Sequence, residues 1–363
     1  MHVFFIVFAG LYLLGNIYIY YRSWELLQGL SLPVRWVLSV LYWGGCLSFF
    51  GFFGNRGLPE ASGWMHTLYY LTTGWLIFTL YMVLLLLFTD ILRILHIVIN
   101  HRFIICFSLT LIVLACGYLH YSHPDTKIIH LNINKPVEGN KHLRVVAVSD
   151  IHLGYGTDKA RLQRYLQMIT DARPDLILIS GDLIDSTLRP VLEERMDEEL
   201  RALKAPLGVY MVPGNHEYIS GASRCREFIS RKTPICWLQD STIVLPNGIQ
   251  IAGRDDRSNP NRLPLQELTR TLDPQRPLLL LDHQPYQLGD AVQAGVDLQF
   301  SGHTHHGQVW PLNWLTDYLF EVSHGYKQIG GTHVYVSSGL SLWGPPFRIG
   351  TQSELIIFEL DFK

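Results

Sequence analysis

The chain changes texture about a third of the way along. Early on, apolar side chains come in long unbroken runs; later they come in short runs separated by polar turns. The long runs are "VFFIVFAGLYLLGNIYIYY" from Val3, "WVLSVLYWGGCLSFFGFFG" from Trp36, "TLYYLTTGWLIFTLYMVLLLLFT" from Thr67 and "FIICFSLTLIVLACGYL" from Phe103. Crossing a bilayer takes roughly 20 apolar residues, so these runs predict four transmembrane helices. Tyr20, Tyr21, Trp24, Trp36 and Trp64 fall near their ends, where amphipathic rings prefer to sit. The first run lacks the basic flank and small-residue cleavage site of a signal peptide, and three more runs follow it.

The later part reads differently. "LRVVAVS", "DLILIS", "GVYMV", "IQIAG", "PLLLLD" and "DLQFS" are short, β-branched or Leu-rich, and bounded by Gly, Pro or Asp, as strands are. Helical patterns lie between several of them, at Arg161 to Thr170 and Val191 to Lys204. Strands alternating with helices predict an α/β layered fold. The expected organisation is therefore a four-helix transmembrane domain over residues 1–120, a linker with room for a strand over 121–141, and an α/β domain over 142–363.

Charge sharpens this picture. The net charge of −2 shows no basic excess of the kind nucleic-acid binding requires. With four spans, the N-terminus and everything after Leu119 share one side of the membrane. The loops on the other side hold Arg22, Arg35, Arg93 and Arg102, whereas the near-side loop holds Arg56. The positive-inside rule then puts the C-terminal domain outside the cytoplasm, periplasmic or extracellular. Of the five cysteines, only Cys225 and Cys236 lie in the polar part. They are expected either to pair, as such a compartment permits, or to stay as free thiols.

The chemistry-bearing residues come just past the strands. "SDIHLG" holds Asp150 and His152, "SGDLID" holds Asp182 and Asp185, and "PGNHEY" holds Asn215, His216 and Glu217. "LDHQP" holds His283, and "SGHTHHG" holds His303, His305 and His306. Loops at the carboxyl ends of strands converge in open α/β sheets. Carboxylates, imidazoles and an amide oxygen without thiolate suit Mn, Fe or Zn in sites of five or six ligands. In an extended chain the D-x-H and H-x-H pairs each point to one face. A lone "GD" or "HTH" means little; five such motifs in order, each behind an apolar strand, mean a site.

Together "DIHLG", "GDLID", "GNHE", "LDHQP" and "GHTHHGQ" resemble the signature of the calcineurin-like metallophosphoesterases, over roughly residues 142 to 361. With "YVSSGL" and "PPFR", the pattern is most similar to the membrane-associated bacterial phosphodiesterase branch. The resemblance implies a β-sandwich flanked by helices, with two divalent ions at one end. Asp150, His152 and His305 would hold the first ion, Asn215, His283 and His303 the second, and Asp182 would bridge. Such ions, about 3.5–4 Å apart, clamp a phosphoryl group and activate a water whose hydroxide attacks in line. His216 would protonate the leaving oxygen or stabilise the transition state, with Asp185 fixing its tautomer. Asp185 alternatively is a turn or helix-cap residue. Arg348 in "PPFRIG" is either a phosphate contact or a surface arginine. Where the family usually carries glycine this chain has His306, expected to point outward and left out of the ligand set.

The stretch "VWPLNWLTDYLF" is expected as an apolar loop, with Trp310 and Trp314 as candidate substrate contacts at a lip against the bilayer. Packing inside a lid is the alternative. The expected activity is hydrolysis of a phosphoester or pyrophosphate on a lipid-linked or membrane-proximal substrate. The alternatives are a tethered enzyme for soluble substrates and a metal-binding membrane sensor or scaffold without turnover. Cleavage of a lipid-nucleotide pyrophosphate, as in the UDP-diacylglucosamine hydrolases of this superfamily, needs a cytosolic site.

Overall fold

The computed structural model describes residues 2–55 and 64–363, with side chains described over 6–52 and from 64 onward. Two compact units emerge, one up to Leu119 and one from His120 apart from Gly344–Phe347.

The first unit is built from helices α1 (His2–Gln28), α2 (Leu32–Asn55), α3 (Trp64–Ile94) and α4 (Arg102–Tyr121). Among the described residues, three stretches are long and apolar enough to cross a membrane: Leu32–Phe52, Trp64–Ile94 and Arg102–Tyr121. α1 is helical along the first predicted span but is not among those three, and its first side chains, like Arg56, lie outside the described residues. Several polar groups inside this unit pair with one another, as an apolar surrounding favours. Asn16 Oδ1 accepts from Trp75 Nε1 at 2.9 Å, and Asp90 accepts from Tyr18 Oη at 2.6 Å and Arg102 Nη1 at 2.7 Å. Arg22 also pairs with Asp90.

In the second unit two six-stranded sheets face each other. The first runs β1 (Asp125–Ile133), β12 (Glu354–Phe362), β2 (His142–Val148), β3 (Leu176–Ser180), β4 (Val209–Val212) and β5 (Cys236–Trp237). Its strands β2 to β5 are parallel, and β12 runs antiparallel to β2 with Phe358 opposite Val145. The second runs β10 (Gly325–Ile329), β11 (Thr332–Val336), β9 (Leu298–Ser301), β8 (Leu278–Leu281), β7 (Gln250–Gly253) and β6 (Ser241–Val244), with β7, β8, β9 and β11 parallel.

Alternation along each strand divides the core. Val145, Ala147, Leu176 and Leu178 point inward to Ile251, Leu279, Leu281 and Phe300 of the facing sheet. Val146, Val148, Ile177 and Ile179 point outward and pack under α5 (Lys159–Asp171) and α9 (Ala222–Lys232), through Leu162, Leu166, Phe228 and Ile229. Across the other sheet, Leu278 and Leu280 pack with Leu265 and Leu268 of α10 (Leu265–Thr269) and Ala291 of α11 (Leu288–Gln293). Burial on both faces explains why these strands read as continuous apolar runs.

Four details depart from or refine the expectations. The linker segment supplies β1, which pairs along its whole length with β12. The helix expected over Val191 to Lys204 is broken into α6 (Arg189–Glu193) and α7 (Asp197–Leu200), with Arg195 between them at φ 53°. The apolar loop after the last motif is a helix, α12 (Leu312–Leu319). Cys225 and Cys236 are free, the first buried and the second exposed.

Candidate metal centre

Five loops carry the candidate donors to one place. Asp150 and His152 follow β2, Asp182 and Asp185 follow β3, and Asn215 and His216 open α8 (Asn215–Ser220) after β4. His283 follows β8, and His303 and His305 follow β9. Every one of these loops leaves the carboxyl end of a parallel strand, three from one sheet and two from the other. Asp150, His152, Asp182, His303 and His305 all have left-handed backbone, with φ from 48° to 73°. For residues with a Cβ this costs about 1–3 kcal/mol each and persists only where neighbours enforce it. Here the loops lock one another: Asp150 N donates to Gly181 O at 3.1 Å and His152 N to Asp182 O at 2.9 Å.

The side chains form two clusters joined by Asp182. In the first, His152 Nε2 lies 3.1 Å from His305 Nε2 and 3.8 Å from Asp150 Oδ1, with His305 Nε2 3.4 Å from Asp150 Oδ1. In the second, Asn215 Oδ1 lies 2.8 Å from His303 Nδ1 and 3.2 Å from His283 Nε2. Asp182 Oδ2 reaches both, 3.1 Å from His283 Nε2 and 3.8 Å from His152 Nε2. His303 and Asn215 are half-buried and the other donors are buried, so the second cluster is the one nearer solvent.

Charge is tightly organised. Burial pushes His305 down to about 3 and His303 to about 4, so both are neutral imidazoles with a lone pair to give. Burial acts upward on Asp150 and Asp182, but the surrounding histidines outweigh it and hold both well below the usual carboxylate range. The reverse holds for His283: burial acts downward, and Asp182 outweighs it and raises the ring well above the ordinary value. A divalent cation would take over the positive charge that protonated rings now supply to these carboxylates, and would displace the ring protons on binding.

The residues present fit two divalent ions. The groups Asp150–His152–His305, His152–Asp182–His216 and Asp182–His283–His303 each bring their donor atoms within 4.8 Å of one another. The space around them depends on missing side chains. A Cβ on Gly214 would stand 2.2 Å from Asp182 Oδ1, and one on Gly302 would stand 2.3 Å from Asp150 Oδ2. The imidazole–carboxylate–amide set, without thiolate, is a borderline-hard one.

Several residues around the cluster set its geometry. His216 Nδ1 is 2.9 Å from Asp185 Oδ1, an ion-pair distance approached off the ring N–H direction. Asp185 also lies 3.5 Å from His152 Nδ1, and both rings help hold its carboxyl far below the usual range despite burial. Glu217, noted in the sequence but given no role there, accepts from the backbone N–H groups of Asp182, Ile184 and Gly214 at 3.0, 2.9 and 2.7 Å. It thereby fixes the loops that carry Asp182 and Asn215. Burial, with the nearby Asp182 charge, pushes its carboxyl up to about 7. Trp343, which the motifs did not single out, is half-exposed with its ring 6.2 Å from that of His216.

Arg348 does not sit where a phosphate contact would. It is fully buried, with Nη1 donating to His305 O at 2.7 Å and Nη2 to Ser341 O at 3.1 Å and to Ser338 O, while Nε donates to Ser353 Oγ at 3.1 Å. The guanidinium fork is occupied by carbonyls and clasps the turn bearing His305. His306 turns away from the cluster: it stacks on His324 at 4.7 Å and its Nε2 is 3.4 Å from Asp317 Oδ1. Trp314 lies exposed on α12 with Trp310 against it, ring centroids 5.4 Å apart. Phe320, at the end of α12, has its ring centroid 6.2 Å from that of His303.

A family model described as calcineurin-like phosphoesterase matches residues 143–307. An uncharacterized metallophosphoesterase of Campylobacter jejuni is 31% identical over 273 residues, covering 71% of this chain and 70% of its own. Another, of Helicobacter pylori strain J99, is 32% identical over 227 residues, 61% of this chain and 60% of its own. A Danio rerio protein named transmembrane protein with metallophosphoesterase domain is 29% identical over 268 residues, 69% of this chain and 61% of its own. The chain thus spans less than two thirds of the length of the Helicobacter and Danio relatives. A sandwich of this topology with this donor set defines a metallophosphoesterase. The chain belongs to the calcineurin-like phosphoesterase family.

Proposed function

We propose that the protein is a membrane-anchored phosphoester hydrolase with a binuclear centre. One observation carries this reading: seven donors from five separate loops converge in two clusters that the carboxylate of Asp182, one of the seven, joins. Asp150, His152 and His305 would hold one ion, Asn215, His283 and His303 the other, and Asp182 both. Manganese, iron or zinc fits these ligands. When bound, the two ions supply a Lewis-acid clamp for a phosphoryl group and an activated water.

The chain's own residues supply the rest. Asp182 is kept in its bridging orientation because its other oxygen accepts from His216 N at 2.8 Å. With His216 Nδ1 turned to Asp185, Nε2 is left for the leaving oxygen of the substrate, where the ring acts as a general acid. Because His216 also falls within the His152–Asp182 group, a direct ligand role is the second reading. The substrate class best supported is a phosphoester or pyrophosphate on a lipid or at the membrane surface, since three long apolar helices precede the domain. If α1 is counted as a fourth span, the arginine distribution supports a domain outside the cytoplasm.

The test uses the full chain in detergent with Mn²⁺ and bis(p-nitrophenyl) phosphate. Turnover is expected, and Asp182→Asn should abolish it while lowering the content of both ions in elemental analysis. A wild-type chain that holds both ions without turnover would favour the sensor or scaffold alternative. An active Asp182→Asn variant retaining both ions would overturn the assignment of the bridge.

A further inference from the structure

Beside the metal cluster the structure leaves an apolar helix uncovered. α12 buries none of its residues: Trp314 is 63% exposed, Leu315 53%, Tyr318 85% and Leu319 57%. Its one charged residue is Asp317, which is directed at the metal-binding turn, with Oδ1 3.4 Å from His306 Nε2. Ser323 also donates to Asp317, and Thr304 of the same turn donates to Ser323 O at 2.5 Å. The helix ends in Phe320, whose ring lies 4.9 Å from that of Tyr286 and close to His303. The polar edge of α12 thus meets the turn that carries His303 and His305 through His306, and its broad apolar face stays exposed.

We propose that α12 is a lipid-docking helix that lies in the interfacial layer of the bilayer and delivers a lipid-borne phosphoester to the metal cluster; the second half of this statement rests on the hydrolase reading above. Composition supports it. Trp and Tyr with Leu, and a single carboxylate paired at the helix edge with His306, are what the headgroup–acyl boundary accepts, because the apolar face itself carries nothing ionised. A water-soluble domain seldom leaves such a patch uncovered. The anchor argues for lipid over any other occupant. Only Ser122, His123 and Pro124 separate the end of α4 from β1, so a bilayer is tethered to this domain at high effective concentration wherever the chain goes. A soluble peptide or a second copy has no such advantage. Docking and catalysis are joined through His306, Asp317 and Phe320, which tie the helix to the turn that holds His303 and His305.

The test uses the full chain in nanodiscs, in a background with the exposed cysteines Cys116 and Cys236 changed to Ser. An environment-sensitive fluorophore on Leu315→Cys should emit to the blue and lose at least about half its intensity when brominated phospholipids are introduced. The same label on Arg231→Cys, on α9, should do neither. Water-like, unquenched emission from position 315 would overturn docking, as would disulfide cross-linking of Leu315→Cys between copies without quenching. A second arm compares substrates. Leu315→Ser combined with Tyr318→Ser should leave hydrolysis of bis(p-nitrophenyl) phosphate unchanged and slow that of a diacylglycerol-linked nitrophenyl phosphodiester about tenfold or more, since each side chain withdrawn from lipid forfeits its transfer free energy. Equal losses on both substrates would overturn delivery. The two readings fail separately: quenching without turnover on either substrate sinks the hydrolase, and turnover without quenching sinks the docking helix.

Discussion

His216 is the residue whose role is most open to experiment, because its ring stands between two duties. It is close enough to His152 and Asp182 to share a cation with them, and its Nδ1 is 2.9 Å from a carboxylate that metal does not need. The second contact is the ground on which the acid role is proposed. A ring whose Nδ1 faces Asp185 presents Nε2 to the substrate side. Replacing His216 with Ala should therefore slow phosphodiester turnover about 10²–10⁴-fold while both ions stay bound. Asp185→Asn should lose less rate and likewise keep both ions. Metal content measured alongside kcat separates the readings: loss of an ion from the alanine variant would make His216 a ligand.

At the scale of elements, Arg348 links three pieces of chain that carry no catalytic group in common. Its guanidinium holds the His305 turn, the carbonyls of Ser338 and Ser341 after β11, and Ser353 before β12. Burial pushes it down to about 10, so it stays charged at neutral pH. Arg348→Met should leave several buried carbonyls without donors, at about 1–3 kcal/mol each, and should lower Tm and metal content together. A substrate contact would behave otherwise, raising KM with Tm unchanged. This distinction was not legible in the sequence, because an arginine fork matches phosphate and carbonyl oxygens alike and only the fold decides which it meets. The donors themselves were legible, since each follows a short apolar strand whose carboxyl end is where α/β sheets place ligands. The insertion of β12 between β1 and β2 was not, because an apolar run states that a strand is buried and says nothing of its partner. α12 does not stand out from a loop in the sequence, although "LNWLTDYL" has the helical spacing of Leu312, Leu315 and Leu319, because eight residues behind a proline make too short a pattern.

For the whole molecule the decisive question is which side of the membrane holds the metal centre. In the helical unit Arg22 near the end of α1, Asp90 near the end of α3 and Arg102 at the start of α4 meet in one ion cluster. The end of α1 and the α3–α4 connection therefore lie together, as they must if α1 runs alongside α3 through the same layer. Arg35 adds to this side by donating from Nε to Leu27 O at 3.1 Å. Basic residues gather on the cytoplasmic face of short connections, so the opposite face, with the chain beyond α4, should be outside the cytoplasm. A cysteine at the exposed position Asn261, in the Cys116→Ser and Cys236→Ser background, should then react with a membrane-impermeant maleimide in intact spheroplasts. Labelling that appears only after lysis would put the metal centre in the cytoplasm. The arginine argument would then be wrong, and a nucleotide-linked lipid pyrophosphate, which the outward orientation argues against, would become the substrate to test first.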